Sequence, residues 1–431
     1  MTDEMESSER RSDSTQSERS EPLLSVVDLR TTFRTDKETV HAVDGISFAV
    51  SRHETRAIVG ESGSGKSVTA RSVLGLIDPP GRVHPDSRIR YHDPAFVQSV
   101  ARTHPDAVSY GPDAEAKTTA QPTTDVENTF VRIQEGTGSG SDVQVTRGYV
   151  DLVAAPSAVR RSVRGKEIAM VFQDAMDSLN PVYTVGNQIK ELLRTHRDLT
   201  GSEATEAAVD LLASVGIPDP RRRLREYPHQ YSGGMQQRAT IALALACDPE
   251  LLICDEPTTA LDVTIQAQIL ELLEKLQRER DLGIIFITHD MGVVARIADR
   301  VSVMYAGEVV ESASASALFN DPKHPYTQGL LQSIPGLAAD GEWLPTIDGS
   351  VPTPTEPASN CRYAPRCPKA FGACDTVHPE RIPTNSNGED GDDHHVACLL
   401  YPDGETEPAR LEQHRTAADD TLADERRKTD E

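Results

Sequence analysis

The chain has 431 residues, enough for one large α/β domain with appendages or for two domains. Its 68 acidic residues outnumber 44 basic ones, of which 35 are arginine and nine lysine. The resulting formal charge of −24 argues against nucleic acid as the main ligand and suits a surface kept soluble in concentrated salt.

No run of about 18 apolar residues occurs, and residues 1–21 are polar and of low complexity, with no hydrophobic segment. The expectation is a cytosolic chain with a disordered tail over 1–21, meeting a membrane only through a partner. Folding starts after Pro22. Leu24–Leu29 and Ala42–Val50 read as strands flanking a hairpin region Phe33–Val40. Phe33 is the aromatic best placed to stack on an adenine ring, or else packs as a strand residue. The apolar run Ala57-Ile58-Val59 leads into Gly60-Glu61-Ser62-Gly63-Ser64-Gly65-Lys66-Ser67, which fits G-x-x-x-x-G-K-[ST]. Glycines let such a loop turn successive backbone N–H groups toward a phosphate, and the following helix, expected over Val68–Ile77, adds its dipole. Lys66 would reach the β/γ-phosphates, and Ser67 a Mg²⁺ ion.

From about His84 to Gly148 the sequence is polar and weakly patterned, read as short antiparallel strands joined by a long, partly disordered solvated loop. Deleting Thr103 to Gly140 is expected to leave ATP binding in place. Glu167–Phe172 reads as a buried strand delivering Gln173, since polar residues at strand ends are where α/β sites collect. Val185–His196 and Glu203–Val215 read as helices. Ser232-Gly233-Gly234-Met235-Gln236 opens the apolar helix Ala239–Ala246 and forms a second anion site by the same dipole argument, or a simple cap. Leu251–Cys254 is a buried strand that presents Asp255, a Mg²⁺ ligand, and Glu256, which poises a water. Asp262 and an amphipathic helix Gln266–Arg280 follow, and the strand Ile284–Thr288 ends at His289. Cys247 and Cys254 fall in apolar surroundings as core residues.

Taken in this order, the residues resemble the ATP-binding subunit of an ABC transporter. GESGSGKS resembles the Walker A loop, Gln173 the Q-loop, Ser232–Gln236 the signature, Leu251–Glu256 Walker B, Ala260–Asp262 the D-loop, and His289 the switch histidine. Met235 stands where many members have Gln, Thr259 where Ser is commoner, and 84–148 is longer than the family needs. The resemblance implies an α/β fold: a P-loop NTPase core with an antiparallel β subdomain, a helical signature subdomain and a Cys-rich C-terminal extension. Its implied nucleotide contacts are Phe33, Gly60, Glu61, Ser62, Gly63, Ser64, Gly65, Lys66, Ser67 and Val68, and in trans Ser232, Gly233, Gly234, Met235, Gln236 and Asp262. Glu256, His289, Gln173 and Lys66 would be catalytic, with Ser67, Gln173 and Asp255 around Mg²⁺.

Phe172–Ile189, Tyr227–Arg238 and His324–Gly336 resemble the oligopeptide, dipeptide and nickel branch of importer ATPases. That implies an ATPase powering peptide or nickel import, with a non-transport ABC ATPase or a sugar cargo as alternatives. It also implies a second ATPase subunit head to tail, two permease subunits, an extracytoplasmic binding protein, and a place on the cytoplasmic face of the membrane. The expected divisions are an ATPase domain over 22–335, an extension over 336–402 and a disordered acidic tail over 403–431. Cys361, Cys367, Cys374 and Cys398, spaced C-x5-C-x6-C-x23-C, lie in a Pro-rich segment that needs a staple. A cytosolic setting disfavours disulfides. The missing short Cys pair disfavours zinc, so a [4Fe–4S] cluster is favoured over Zn²⁺ with His394 and His395 as spare ligands, four unrelated thiols being the plain alternative.

Overall fold

The computed structural model describes residues 21–111, 129–137, 144–174, 178–259, 261–334, 347–384 and 394–401. Ala260, the segment 175–177 after Gln173, and the tails expected at 1–21 and 403–431 lie outside them, Glu21 excepted.

Two sheets organise the described residues. The larger has eight strands in the spatial order Ile382–Pro383, His395–Val396, Glu308–Ser314, Arg300–Tyr305, Thr55–Val59, Gly283–Thr288, Leu251–Asp255 and Ile168–Val171. Its part from Arg300–Tyr305 to Ile168–Val171 is parallel. Three of its strands, Thr55–Val59, Leu251–Asp255 and Gly283–Thr288, are buried at every position. That is why Ala57–Val59, Leu251–Cys254 and Ile284–Ile287 read in the sequence as unbroken apolar runs: helices cover both faces of a parallel sheet. Such strands deliver their C-terminal neighbours to one edge, which here means Gly60, Asp255 with Glu256, and His289.

The second sheet pairs Leu24–Arg34 with Thr39–Val50, aligning Phe33 with Val40 as a hairpin. It continues through Arg88–Tyr91, Gln144–Asp151, Val131–Thr137 and Val108–Tyr110. Within 84–148 the expected short antiparallel strands are present, Val131–Thr137 pairing antiparallel with Gln144–Asp151, and the segment also holds a helix that the sequence reading did not give. This helix, Pro94–Thr103, starts at Asp93, whose carboxylate accepts from Phe96 N at 2.7 Å. Its Phe96, Val97 and Val100 join Phe130, Val131 and Ile133 in one buried cluster. The alternation at Phe130–Ile133 reads as a short strand in the sequence, whereas the helix packed on it does not stand out among Gln98, Ser99, Arg102 and Thr103. Deleting Thr103 to Gly140 would remove buried Ala107, Phe130, Val131 and Ile133, so the expectation of an intact nucleotide site gives way to loss of core.

A third layer holds the helices Val185–Arg197, Gly201–Ser214 and Gly233–Leu245, packed with the strand Leu251–Asp255 in a second core cluster. Cys247 and Cys254 are buried, Cys254 within this cluster, as expected. Beyond the last helix, Pro325–Gln332, the chain returns to the larger sheet and adds Ile382–Pro383 and His395–Val396 to its edge. Arg362 fastens this segment, donating to Asp44 Oδ2 and to Ala306 O, each at 2.6 Å. Among the described residues no helix is long and apolar enough to cross a membrane.

Candidate nucleotide-binding site

In the loop after Thr55–Val59 three glycines, Gly60, Gly63 and Gly65, have positive φ, and at two of them the backbone of another element approaches closely. A Cβ on Gly60 would lie 2.2 Å from Met304 O, and one on Gly65 2.2 Å from Ala42 O, so no other residue fits either position. The helix that follows runs Lys66–Val73, shorter than the expected Val68–Ile77. Lys66 is buried and folds back over the loop, its Nζ donating to Gly60 O at 2.8 Å and Glu61 O at 2.9 Å. Burial pushes the Lys66 pKa down, against the pull of Glu256, Asp255 and Glu61. Two of the three ammonium hydrogens are thus engaged, which leaves one for an incoming phosphate oxygen.

Ser67 Oγ donates to Asp255 Oδ1 at 2.9 Å. A hydroxyl beside a buried carboxylate is a hard oxygen pair that fits Mg²⁺. Burial raises the Asp255 pKa, while Ser67, Arg71 and Lys66 hold it down. Glu256, next along, has φ 47°, a strained value for a side chain of this size, and its N–H donates to Ile287 O at 2.9 Å. The turn aims its carboxylate at three groups from separate elements. Gln173 Nε2 donates to Glu256 Oε2 at 3.2 Å, Thr259 Oγ1 donates to the same oxygen at 3.0 Å, and His289 Nδ1 lies 3.4 Å from it. Gln173, Glu256 and His289, each singled out by strand-end position, thus meet at one carboxylate. Thr259 was noted in the sequence only as a departure from the commoner Ser. Its place three residues after the acid, in a turn where Thr259 N donates to Glu256 O at 3.3 Å, was the available signal.

The other expected contacts are placed as follows. Ser62 and Gly63 are exposed, whereas Ser64 is wholly buried and its hydroxyl has no hydrogen-bond partner among the described residues. Val68 is half-buried against the first core cluster. The Phe33 ring lies over Gly81, where a Cβ would come within 2.6 Å of it. Ser232 caps the helix Gly233–Leu245, accepting from Met235 N at 3.4 Å, and Ser232 and Gly233 are exposed. Gly234 lies against Ile265, Met235 packs on the second core cluster, and buried Gln236 donates its Nε2 to Pro228 O at 2.9 Å. Asp262 is exposed and caps Val263–Arg280 by accepting from Ile265 N at 2.9 Å. Among the described residues, no hydrogen bond or ion pair joins Ser232–Met235 to the P-loop, so the two stretches form separate surfaces of this chain.

In the C-terminal segment all four cysteines are free thiols, and Cys361 N donates to Cys374 O at 3.0 Å. Burial pushes the Cys398 thiol up, and the charges of Cys361, Cys367 and Cys374 add to that shift. Among the described residues no three His, Cys, Asp or Glu side chains converge into a metal-holding set. His394 is corrected as a spare ligand: its Nε2 is 2.7 Å from Glu311 Oε1 in a buried pair. His395 lies in the strand next to the sheet's edge, paired with Ile382–Pro383 on one side and Glu308–Ser314 on the other.

A family model described as "ABC transporter" matches residues 43–128 and 133–259, and one described as "Oligopeptide/dipeptide transporter, C-terminal region" matches 310–374. The oligopeptide transport ATP-binding protein AppD of Bacillus subtilis is 43% identical over 88% of this chain and 97% of its own length. The dipeptide transport ATP-binding protein DppD of the same organism is 41% identical over 88% of this chain and 95% of its own. A protein of Brucella melitensis provisionally named a peptide import ATP-binding protein is 45% identical over 85% of this chain and 95% of its own.

Proposed function

The chain belongs to the ABC transporter ATP-binding family, on its oligopeptide and dipeptide branch, and from that premise we propose that it hydrolyses ATP at Glu256 to drive peptide import. The observation that carries this reading is the convergence of Gln173, Thr259 and His289 on the Glu256 carboxylate beside the Lys66 loop. Backbone N–H groups of the loop and the Lys66 ammonium bind the β- and γ-phosphates and take up charge that grows there in the transition state. Ser67 and Asp255 would hold Mg²⁺, which would supply neutralisation of phosphate charge. Glu256 accepts the proton of the attacking water, and Gln173 and His289 orient that carboxylate. Phe33 takes the adenine, and Ser232, Gly233 and Gly234 serve the nucleotide of a second subunit, with Met235, Gln236 and Asp262 shaping that face. Replacing Glu256 by Gln should leave ATP affinity largely intact and cut turnover by a factor on the order of 10² or more, whereas Lys66→Ala should lose binding. Full turnover in Glu256→Gln overturns the assignment.

The partners follow from the same premise: a second ATPase subunit, two permease subunits and an extracytoplasmic binding protein, with this chain at the cytoplasmic face. Exposed Phe172, Val182 and Tyr183 cluster in sequence around Gln173, with Val182 at 71% exposure, and support a permease contact there. We divide the chain into an ATPase domain over 22–335 and an extension over 336–402. In that extension we read Cys361, Cys367, Cys374 and Cys398 as a metal centre, iron–sulfur ahead of zinc, on their sequence spacing and free thiols alone; the described side chains do not converge into a metal-holding set, so a bound metal would have to draw them together. Anaerobic purification with iron and zinc analysis and visible absorption tests it. Stoichiometric zinc in a colourless protein rejects the cluster, and a folded, metal-free protein rejects the centre.

A further inference from the structure

Glu61 is the one acidic residue in the loop Gly60–Ser67, an odd neighbour for a triphosphate, and all its polar groups are engaged. Its carbonyl accepts from Lys66 Nζ at 2.9 Å, and its N–H donates to Tyr326 Oη at 2.9 Å. Its carboxylate is gripped through both oxygens by Arg366, with NH1 to Oε1 and NH2 to Oε2 each at 3.0 Å. Arg366 lies 305 residues further along the chain, next to Cys367, and its side chain is only 7% exposed. It is itself held in place. Nε donates to Asp348 O at 2.8 Å, NH1 donates to Tyr305 Oη at 3.3 Å, and the guanidinium stands 5.7 Å from the centre of the Tyr305 ring. Tyr305 packs edge-on against Tyr326 at 4.7 Å, so the two residues that hold Glu61 are braced through one aromatic contact.

A fork-to-fork guanidinium–carboxylate pair fixes direction as well as charge. Without its partner the Glu61 carboxylate would face an incoming polyphosphate as a like charge, and the Glu61 carbonyl, which aims the Lys66 ammonium, would lose its anchor. We propose that Arg366 is a positioning residue for nucleotide binding: by neutralising Glu61 and locking its peptide, the segment after the ATPase core completes the phosphate loop. The proposal rests on the reading of this loop as an ATP site and deepens it.

The test measures MgATP affinity, KM and kcat of the full chain and its variants, with thermal unfolding of each. Arg366→Gln is expected to weaken MgATP binding and raise KM roughly tenfold, the scale of one lost charge-assisted contact, with kcat at saturation unchanged. Arg366→Lys, which keeps the charge and loses the fork, should fall between. The double variant Glu61→Gln with Arg366→Gln should regain most of the affinity, because the repelling carboxylate is gone, and a merely structural Arg366 would show no such recovery. Parental affinity in Arg366→Gln overturns the proposal, as does a double variant as weak as the single. If Arg366→Gln does not fold, Arg366→Lys weaker than the double variant supports the proposal, and Arg366→Lys equal to the parent overturns it. A parent that binds no MgATP fails the functional reading instead, so the two failures are distinguishable.

Discussion

Asp255 concentrates the conflict between stability and function at a single side chain. It is buried at the end of a parallel strand, and burial raises its pKa, with the neighbouring Glu256 charge adding to the rise. A carboxyl whose folded pKa lies above its unfolded value takes up a proton on folding in the window between the two. Stability of the nucleotide-free chain therefore falls as pH rises from the ordinary carboxylate range through the raised value. Asp255→Asn keeps an acceptor for Ser67 and removes the charge. It should unfold at a higher temperature than the parent near neutral pH, with the gap closing as pH drops below the ordinary Asp range, while MgATP turnover is lost. Equal pH profiles for the two proteins would show that the buried charge carries no such cost. The residue types at this site were legible because an apolar run ending in acids, a glycine-rich loop and a strand-end histidine each have a chemical reason. Their meeting was not. Apart from Thr259, three residues on in the same turn, nothing local says that Gln173 and His289 reach Oε2 of Glu256, since those distances depend on how three strands register across the sheet.

At the level of elements, legibility follows burial on both faces. The strands Leu251–Asp255 and Gly283–Thr288 stand out because every side chain is apolar or at a strand end, and the helix Val185–Arg197 because Thr184 caps it, accepting from Asn187 N, and Asp198 closes it in left-handed backbone. The phosphate helix ends four residues early against expectation, since Gly75 at φ 60° turns the chain out and the apolar Leu74, Leu76 and Ile77 only prolong the pattern. The strands Arg300–Tyr305 and Glu308–Ser314 escaped the sequence reading altogether. Ser302, Glu311 and Ser312 are buried there, and Glu311 accepts from Lys323 N and His324 N at 2.7 and 2.8 Å, so polar residues sit where a strand pattern calls for apolar ones. The folded-back segment with Arg362 and Arg366 was invisible for a related reason: long-range ion pairs leave no periodicity.

For the whole molecule, the proposed second subunit makes the site of one chain depend on a surface of another. Among the described residues the P-loop and the exposed start of Gly233–Leu245 are unconnected, and each is a helix start whose backbone N–H groups suit an anion. Gly233 isolates that dependence. A Cβ added there meets nothing within 4 Å, and its backbone is not left-handed, so a larger side chain costs the single chain neither contact nor strain. Gly233→Asp should accordingly keep the parental unfolding temperature and parental ATP affinity. If a second chain presents its nucleotide to this helix start, the added carboxylate meets the γ-phosphate and blocks closure. MgATP should then drive Glu256→Gln into a dimer on light scattering, and the Glu256→Gln, Gly233→Asp double variant should stay monomeric, with turnover of Gly233→Asp alone falling by a factor on the order of 10². Undiminished dimer formation in the double variant would mean that Ser232–Gly234 is a helix cap and no more.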